Sequence, residues 1–279
     1  MELGRKILQE LSHGTSYYDL LSRREDEIEK IEKILAKGKV PSVFRLHTRE
    51  YEISPKSPED YLALIGLLDV KKTKYIALKD IVELVVGYPH TYHPVKEKIG
   101  EILREASKEN IKKQKKLDPS LFRALCTLMC RNTKCMAEAV ILPWIREGMT
   151  NTAALVLSRV IMKSSSEREY MEEFLERLME ESESSVTFIL IVSVLIKKIK
   201  FGKPTVEKIE KYIFDTGSEV ERSLAWNKLV LAFVRGYKDA ADLRRVEERY
   251  REIERESKLT EIEKEILREI EGSVTEEKC

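Results

Sequence analysis

Phe188, Ile189, Leu190, Ile191, Val192, Ser193, Val194, Leu195 and Ile196 form the longest apolar run in the chain, and a basic turn follows at once: Lys197, Lys198, Ile199, Lys200, Phe201, Gly202, Lys203, Pro204. Beyond it Trp226, Leu229, Val230, Phe233 and Tyr237 recur at steps of three and four, which places them on one face of a helix. The same period returns on both sides of this stretch. Ile28, Ile31, Ile34 and Leu35 share a face opposite alternating Glu and Lys, and Gly38 ends that helix because glycine accepts positive φ. Leu62, Leu64, Ile65, Leu67 and Leu68 make another helix, after the start signal Ser57, Pro58, Glu59, Asp60. Further helices are predicted over 76–86, over 95–116 and from Leu121 to Met129, then one or two over 143–163. An acidic helix is predicted over 167–183, capped by Ser164 to Ser166, and a charged one from Asp242 to Ile270, with 271–279 frayed. Tyr88 to Pro94, with two prolines, reads as a non-helical connection.

No strand pattern competes anywhere. Helices of about 10 to 20 residues joined by short turns, without heptads, predict an all-α chain built as an irregular α-solenoid of stacked helix pairs, a superhelix of the HEAT or TPR kind. The expected organisation is a helix and polar joint over 1–24, a helical domain over 25–250, and a charged helix with its tail over 251–279.

Order and spacing add more than periodicity does. Trp226, Val230, Leu231, Phe233, Tyr237 and Lys238 follow the Trp, Leu, Leu, Phe, Tyr, Lys signature of the bystin family. Gly38, Lys39, Val40, Pro41, Phe44 and Arg45 follow that family's Gly, Lys, Leu, Pro, Phe, basic motif after a helix. Thr133, Glu138, Ala139, Val140 and Ile141 match a third motif, in which Asn132 replaces a glycine and Cys135 stands one residue late. Pro204 matches a family proline preceded by an aromatic, here Phe201, and by a lysine pair, Lys197 and Lys198. The chain therefore resembles bystins over roughly residues 28–250, as a shortened form without their long polar amino-terminal extension.

That resemblance implies a non-enzymatic assembly factor of the small (40S) ribosomal subunit. It would act in the nucleolus and nucleus, with shuttling to the cytoplasm on pre-40S particles, in processing of pre-18S rRNA, maturation of the subunit head and export. The implied partners are small-subunit pre-rRNA, snoRNA, head ribosomal proteins and other pre-40S factors, among them the low-temperature-viability assembly factor. Pro41, Phe44, Glu138, Pro204, Trp226, Phe233 and Tyr237 are the expected signature core. The alternative class is a helical-repeat adaptor that binds proteins alone.

Composition is compatible with either class. The chain has 279 residues, 42% hydrophobic and 35% charged, with a formal net charge of only +1, so any nucleic-acid surface must come from segregated charge. Three groups qualify: Lys71, Lys72 and Lys74; Lys108 with Lys112, Lys113, Lys115 and Lys116; and Lys197, Lys198, Lys200 and Lys203. With Lys39 and Arg45 they are the candidate RNA contacts, aligned as a basic rim if helix ends share an edge. Solvated helix ends are the plainer reading of any single group.

Nothing in the sequence supports catalysis, a cofactor or a small-molecule substrate. Gly202 and Lys203 lack the spacing of a phosphate loop. His90 and His93 have no motif-bound nucleophile or carboxylate, and read as loop histidines. Cys126, Cys130 and Cys135 read as small hydrophobes rather than as a zinc site, which needs four ligands in fixed geometry. No apolar run reaches the roughly 20 residues that a membrane span requires.

Overall fold

The computed structural model describes residues 25–41, 44, 62, 65–66, 68–86, 93–215, 223–238 and 240–276. All regular structure among the described residues is helical. The expected helix and joint over 1–24, the helix start at 57–60, Arg45 and His90 lie outside them. The chain divides into two compact units, Met1–Trp144 and Ile145–Cys279.

In the first unit α1 spans Glu25–Ala36, α2 Tyr75–Val86, α3 His93–Gln114 and α4 Pro119–Arg131. Gly38 takes φ +80° and its N–H reaches the Leu35 carbonyl at 2.9 Å, so α1 ends as its sequence indicates. Helices α2 and α3 both pack on α4, and their apolar stripes close one core around Leu78, Ile81, Ile99, Leu103, Leu125 and Leu128. Helix α3 starts two residues earlier than expected and takes in Pro94. In the first turn a proline costs nothing, because its missing N–H has no intrahelical partner there.

Asp118 caps α4, accepting from the Ser120 N–H at 2.8 Å with Pro119 in the first turn. The buried Asn110 side chain accepts the Asp118 N–H at 2.8 Å and pins the α3–α4 turn. Helix α5 (Thr133–Cys135) then runs into a π-helical segment, Met136–Ile141, and α6 (Leu142–Arg146). The π segment packs on α3 where Gly100 leaves room: a Cβ there would lie 2.6 Å from the Ala139 Cβ.

The second unit holds α7 (Asn151–Lys163), α8 (Arg168–Met179), α9 (Ser185–Leu195), α10 (Lys203–Asp215), α11 (Leu224–Tyr237), α12 (Arg244–Glu256) and α13 (Glu261–Glu276). Alternate helices form a row: α7 packs on α9, α9 on α11, and α11 on α13, while α8 packs on both α9 and α10. The apolar run becomes α9, buried on most of its circumference because it has neighbours on several sides.

The second unit departs from the sequence expectation at Ser164 and along the charged tail. Ser164 does not cap the acidic helix; it closes α7, its hydroxyl donating to the Val160 carbonyl at 2.7 Å, and Glu167 stands at the start of α8. The charged tail is two helices, separated at Ser257–Thr260, and the second continues to Glu276. Thr260 and Glu263 supply the break: the buried Glu263 carboxylate accepts the Thr260 N–H at 2.6 Å, the reciprocal half of a capping box. Helix α12 is fastened to α11 by the Tyr250 hydroxyl, which donates to Asn227 Oδ1 at 2.7 Å inside the core.

Candidate nucleic-acid interface

Two of the three lysine groups belong to the first unit, and packing draws them toward each other. Lys71, Lys72 and Lys74 precede the first turn of α2; Lys112, Lys113, Lys115 and Lys116 close α3. Lys113 lies within electrostatic reach of Tyr75, the residue after Lys74. Some of these charges are neutralised. The Lys72 ammonium sits 2.9 Å from the Glu32 carboxylate, and that hydrogen bond holds its pKa above the ordinary lysine value. Lys113 pairs with Glu109 at 2.6 Å, with the same direction of shift, and Lys108 pairs with Glu105 at 2.9 Å. Lys71, Lys74, Lys112, Lys115 and Lys116 are exposed and make no ion pair with any described residue. Lys39 is exposed beyond the end of α1.

The α3 terminus has a backbone peculiarity. Lys115 adopts φ +58° while its N–H bonds to the Ile111 carbonyl at 2.8 Å, so a lysine occupies the left-handed closing position where glycine is the usual residue. The helix dipole places negative partial charge at this end, which favours cations held there.

The third group, in the second unit, behaves differently. Lys197 turns inward, and its ammonium donates to the carbonyls of Ile161 (3.1 Å) and Ser164 (2.5 Å) at the end of α7. Lys198, at φ +52°, and Lys200 remain exposed, and Lys203 is exposed with Glu207 at 3.9 Å.

Of the signature residues, Phe44, Trp226, Phe233, Tyr237 and Pro41 are buried. Tyr237 stacks between Phe201 (centroids 5.6 Å apart) and Phe233 (5.9 Å), and its hydroxyl donates to the Ile199 carbonyl at 2.9 Å. Burial raises its pKa above the usual phenol range. Trp226 stacks on Tyr250 at 6.2 Å. Glu138 is only half-buried, in the π segment, and Pro204 is exposed in the first turn of α10, so these two do not belong to the core. For Pro204 the position is set by its ring: a first helical turn tolerates a residue without an N–H.

His93 Nδ1 lies 3.4 Å from Glu97, and Glu138 brings a third donor, all three within 4.8 Å of one another. Three donors with an exposed histidine fall short of the closed four-ligand set of a structural zinc site. Cys135 is not among them. Burial pushes its thiol up to about 12, so it stays protonated at neutral pH, donating to the Lys96 carbonyl at 3.2 Å.

An apolar groove that could hold a partner's helix is expected of a helical scaffold, but its place over α7, α9 and α11 was not legible in the sequence. Its signal was faint: Leu155, Met162 and Leu224 stand out of phase with the buried stripes of their helices. No described helix is long and apolar enough to cross a membrane.

A family model described as Bystin matches residues 90–278. The match takes in the motifs at 132–141, 201–204 and 226–238, and starts after the one at 38–45. No curated protein matches the chain.

Proposed function

The chain belongs to the bystin family, a non-catalytic family of ribosome-biogenesis factors, and on that premise we propose that it scaffolds precursors of the small ribosomal subunit. In this reading the protein holds immature rRNA by its backbone during pre-18S processing and head maturation. It works in the nucleolus and nucleus and leaves with the pre-40S particle, beside head ribosomal proteins and other assembly factors. The contribution is geometric: a helical scaffold fixes the relative position of segments that would otherwise fold independently.

One observation carries the RNA part. Lys71 and Lys74 before α2, and Lys112, Lys115 and Lys116 at the end of α3, present five unpaired ammonium groups on structured backbone in the same unit. Phosphates need such cations, and A-form RNA is read by shape and backbone charge rather than by base edges. The near-zero net charge of the chain makes the segregation meaningful, since no general basicity produces it.

The solenoid reading is supported by the row α7, α9, α11, α13, with α8 and α10 as neighbours on a second layer, which is how stacked helix pairs alternate.

The test is binding of the full chain to a structured small-subunit rRNA fragment across a salt series. With about four to five phosphate contacts, the logarithm of affinity should fall with the logarithm of salt at a slope of roughly −3 to −4. A flat salt dependence would remove the reading.

A further inference from the structure

Six large apolar side chains are exposed among the described residues, and four of them converge on one groove of the second unit: Leu155 (55% exposed), Met162 (40%), Ile196 (53%) and Leu224 (61%). A concave groove that gathers exposed aliphatic side chains suits a binding surface, whereas scattered exposed leucines need no explanation. The groove has a volume of about 960 Å³ and runs over α9 between α7 and α11. Its walls extend from Asn151 to Met162 on α7 and from Leu224 to Gly236 on α11. At about 1.5 Å of rise per residue each wall is roughly 17 Å long, three helical turns.

The floor is mainly aliphatic, with Ile189, Val192, Leu195 and Leu231. Ser158 and Ser193 line it, but their hydroxyls donate to the Leu155 and Leu190 carbonyls of their own helices, at 2.8 and 2.6 Å. Ala232 and Gly236 add no bulk, so a helix backbone can approach closely. The lining contains three cations, Lys198, Lys228 and Arg235, and no carboxylate. Arg235 is neutralised from behind by Glu265 and Glu269 of α13; Lys198 and Lys228 are exposed without a described acidic partner.

We infer that this groove receives a short amphipathic helix of a partner protein, apolar on the face that meets Leu155, Ile196 and Leu224, and bearing carboxylates that meet Lys198 and Lys228. Length selects a helix of about three turns, the floor selects aliphatic side chains, and the rim selects acidic flanks. A nucleic acid fits poorly, because the exposed surface between the two lysines is aliphatic and offers no aromatic platform for bases.

The test uses the full chain and a fluorescein-labelled synthetic peptide of about twelve residues, with leucines on one helical face and glutamates flanking them. Its counterpart carries lysines in place of the glutamates. The acidic peptide should bind and the basic one should bind at least ~10-fold more weakly. Leu155→Ser with Leu224→Ser should weaken the acidic peptide at least ~10-fold without moving the thermal unfolding midpoint, since both side chains are already solvated. Lys198→Glu with Lys228→Glu should reverse the preference between the two peptides. Equal binding of both peptides, or of wild type and the leucine variant, overturns the inference. So does self-association that the leucine variant abolishes, which would make a second copy the occupant, or displacement of the peptide by structured RNA.

Discussion

Helices α3 and α9 end in nearly the same way and use their lysines for different purposes. Each closes on a lysine in the left-handed region, Lys115 and Lys198, and each is followed by further cations. After α3 the chain passes to α4 through a turn held by the Lys115 N–H on Ile111 and by the Asn110 and Asp118 side chains, and Lys112, Lys115 and Lys116 stay in solvent. After α9 the turn is enclosed. Lys197 satisfies carbonyls at the end of α7, the Gly202 N–H donates to Glu172 of α8 at 2.8 Å, and Tyr237 of α11 holds Ile199. Burial would raise the Glu172 carboxyl, but the Gly202 N–H and Arg168 outweigh it and hold the group below its usual range. A run of lysines in sequence thus merges two chemistries: a cation that completes a neighbouring helix and a cation available to a ligand. Only the packing around each helix end separates them.

The comparison breaks most visibly at Lys197. Lys197→Met leaves carbonyls at the α7 terminus without their ammonium donor, and should cost about 2 kcal/mol in urea unfolding, the usual worth of a charged hydrogen bond in a partly buried place. An unchanged midpoint would erase the distinction between the two ends. Next in size, the triple variant Lys112→Glu, Lys115→Glu, Lys116→Glu should lower RNA affinity by at least ~10-fold and flatten the salt slope by about 2, while unfolding stays near wild type. Lys200→Glu with Lys203→Glu should lower it less than ~3-fold, and equal losses would restore the third group to the interface. Lys115→Gly and Lys198→Gly should each stabilise the protein by roughly 0.5–1 kcal/mol, because glycine enters the left-handed region without a Cβ penalty. The smallest expected effect is Lys112→Ala, within about 0.5 kcal/mol by the same denaturation measurement.

Much of the fold was legible wherever one amphipathic stripe sufficed. Gly38, Asp118 with Pro119, and the Trp226 to Tyr237 face all act as their local chemistry indicates. The break in the tail was legible too, since Thr260 and Glu263 stand at capping-box spacing, but a sparse apolar pattern at Ile253, Leu259 and Ile262 disguised it as one helix. The π segment left no trace in periodicity: Met136 to Ile141 is almost wholly apolar, so every register looks alike, and Gly100 betrays its purpose only when Ala139 is placed against it. The site was less accessible for a related reason. Lys72 meets Glu32 forty positions away, Lys197 meets Ile161 thirty-six away, and the groove gathers Leu155, Ile196 and Leu224 from three helices. None of these neighbours is implied by spacing along the chain.

The two tryptophans give these units a spectroscopic signature. Trp144 is the last residue of the first unit and is 6% exposed; Trp226 lies in the second, stacked on Tyr250, with its indole N–H buried and without a hydrogen-bond partner among the described residues. An indole that donates to nothing in a dry core emits at short wavelength and shifts to the red when water reaches it. Trp144→Phe therefore leaves a reporter on one unit alone, and Trp226→Phe leaves one on the other. With one tryptophan in each unit, excited at wavelengths where the eleven tyrosines do not absorb, two emission curves show whether the units unfold together or in succession, without any added label.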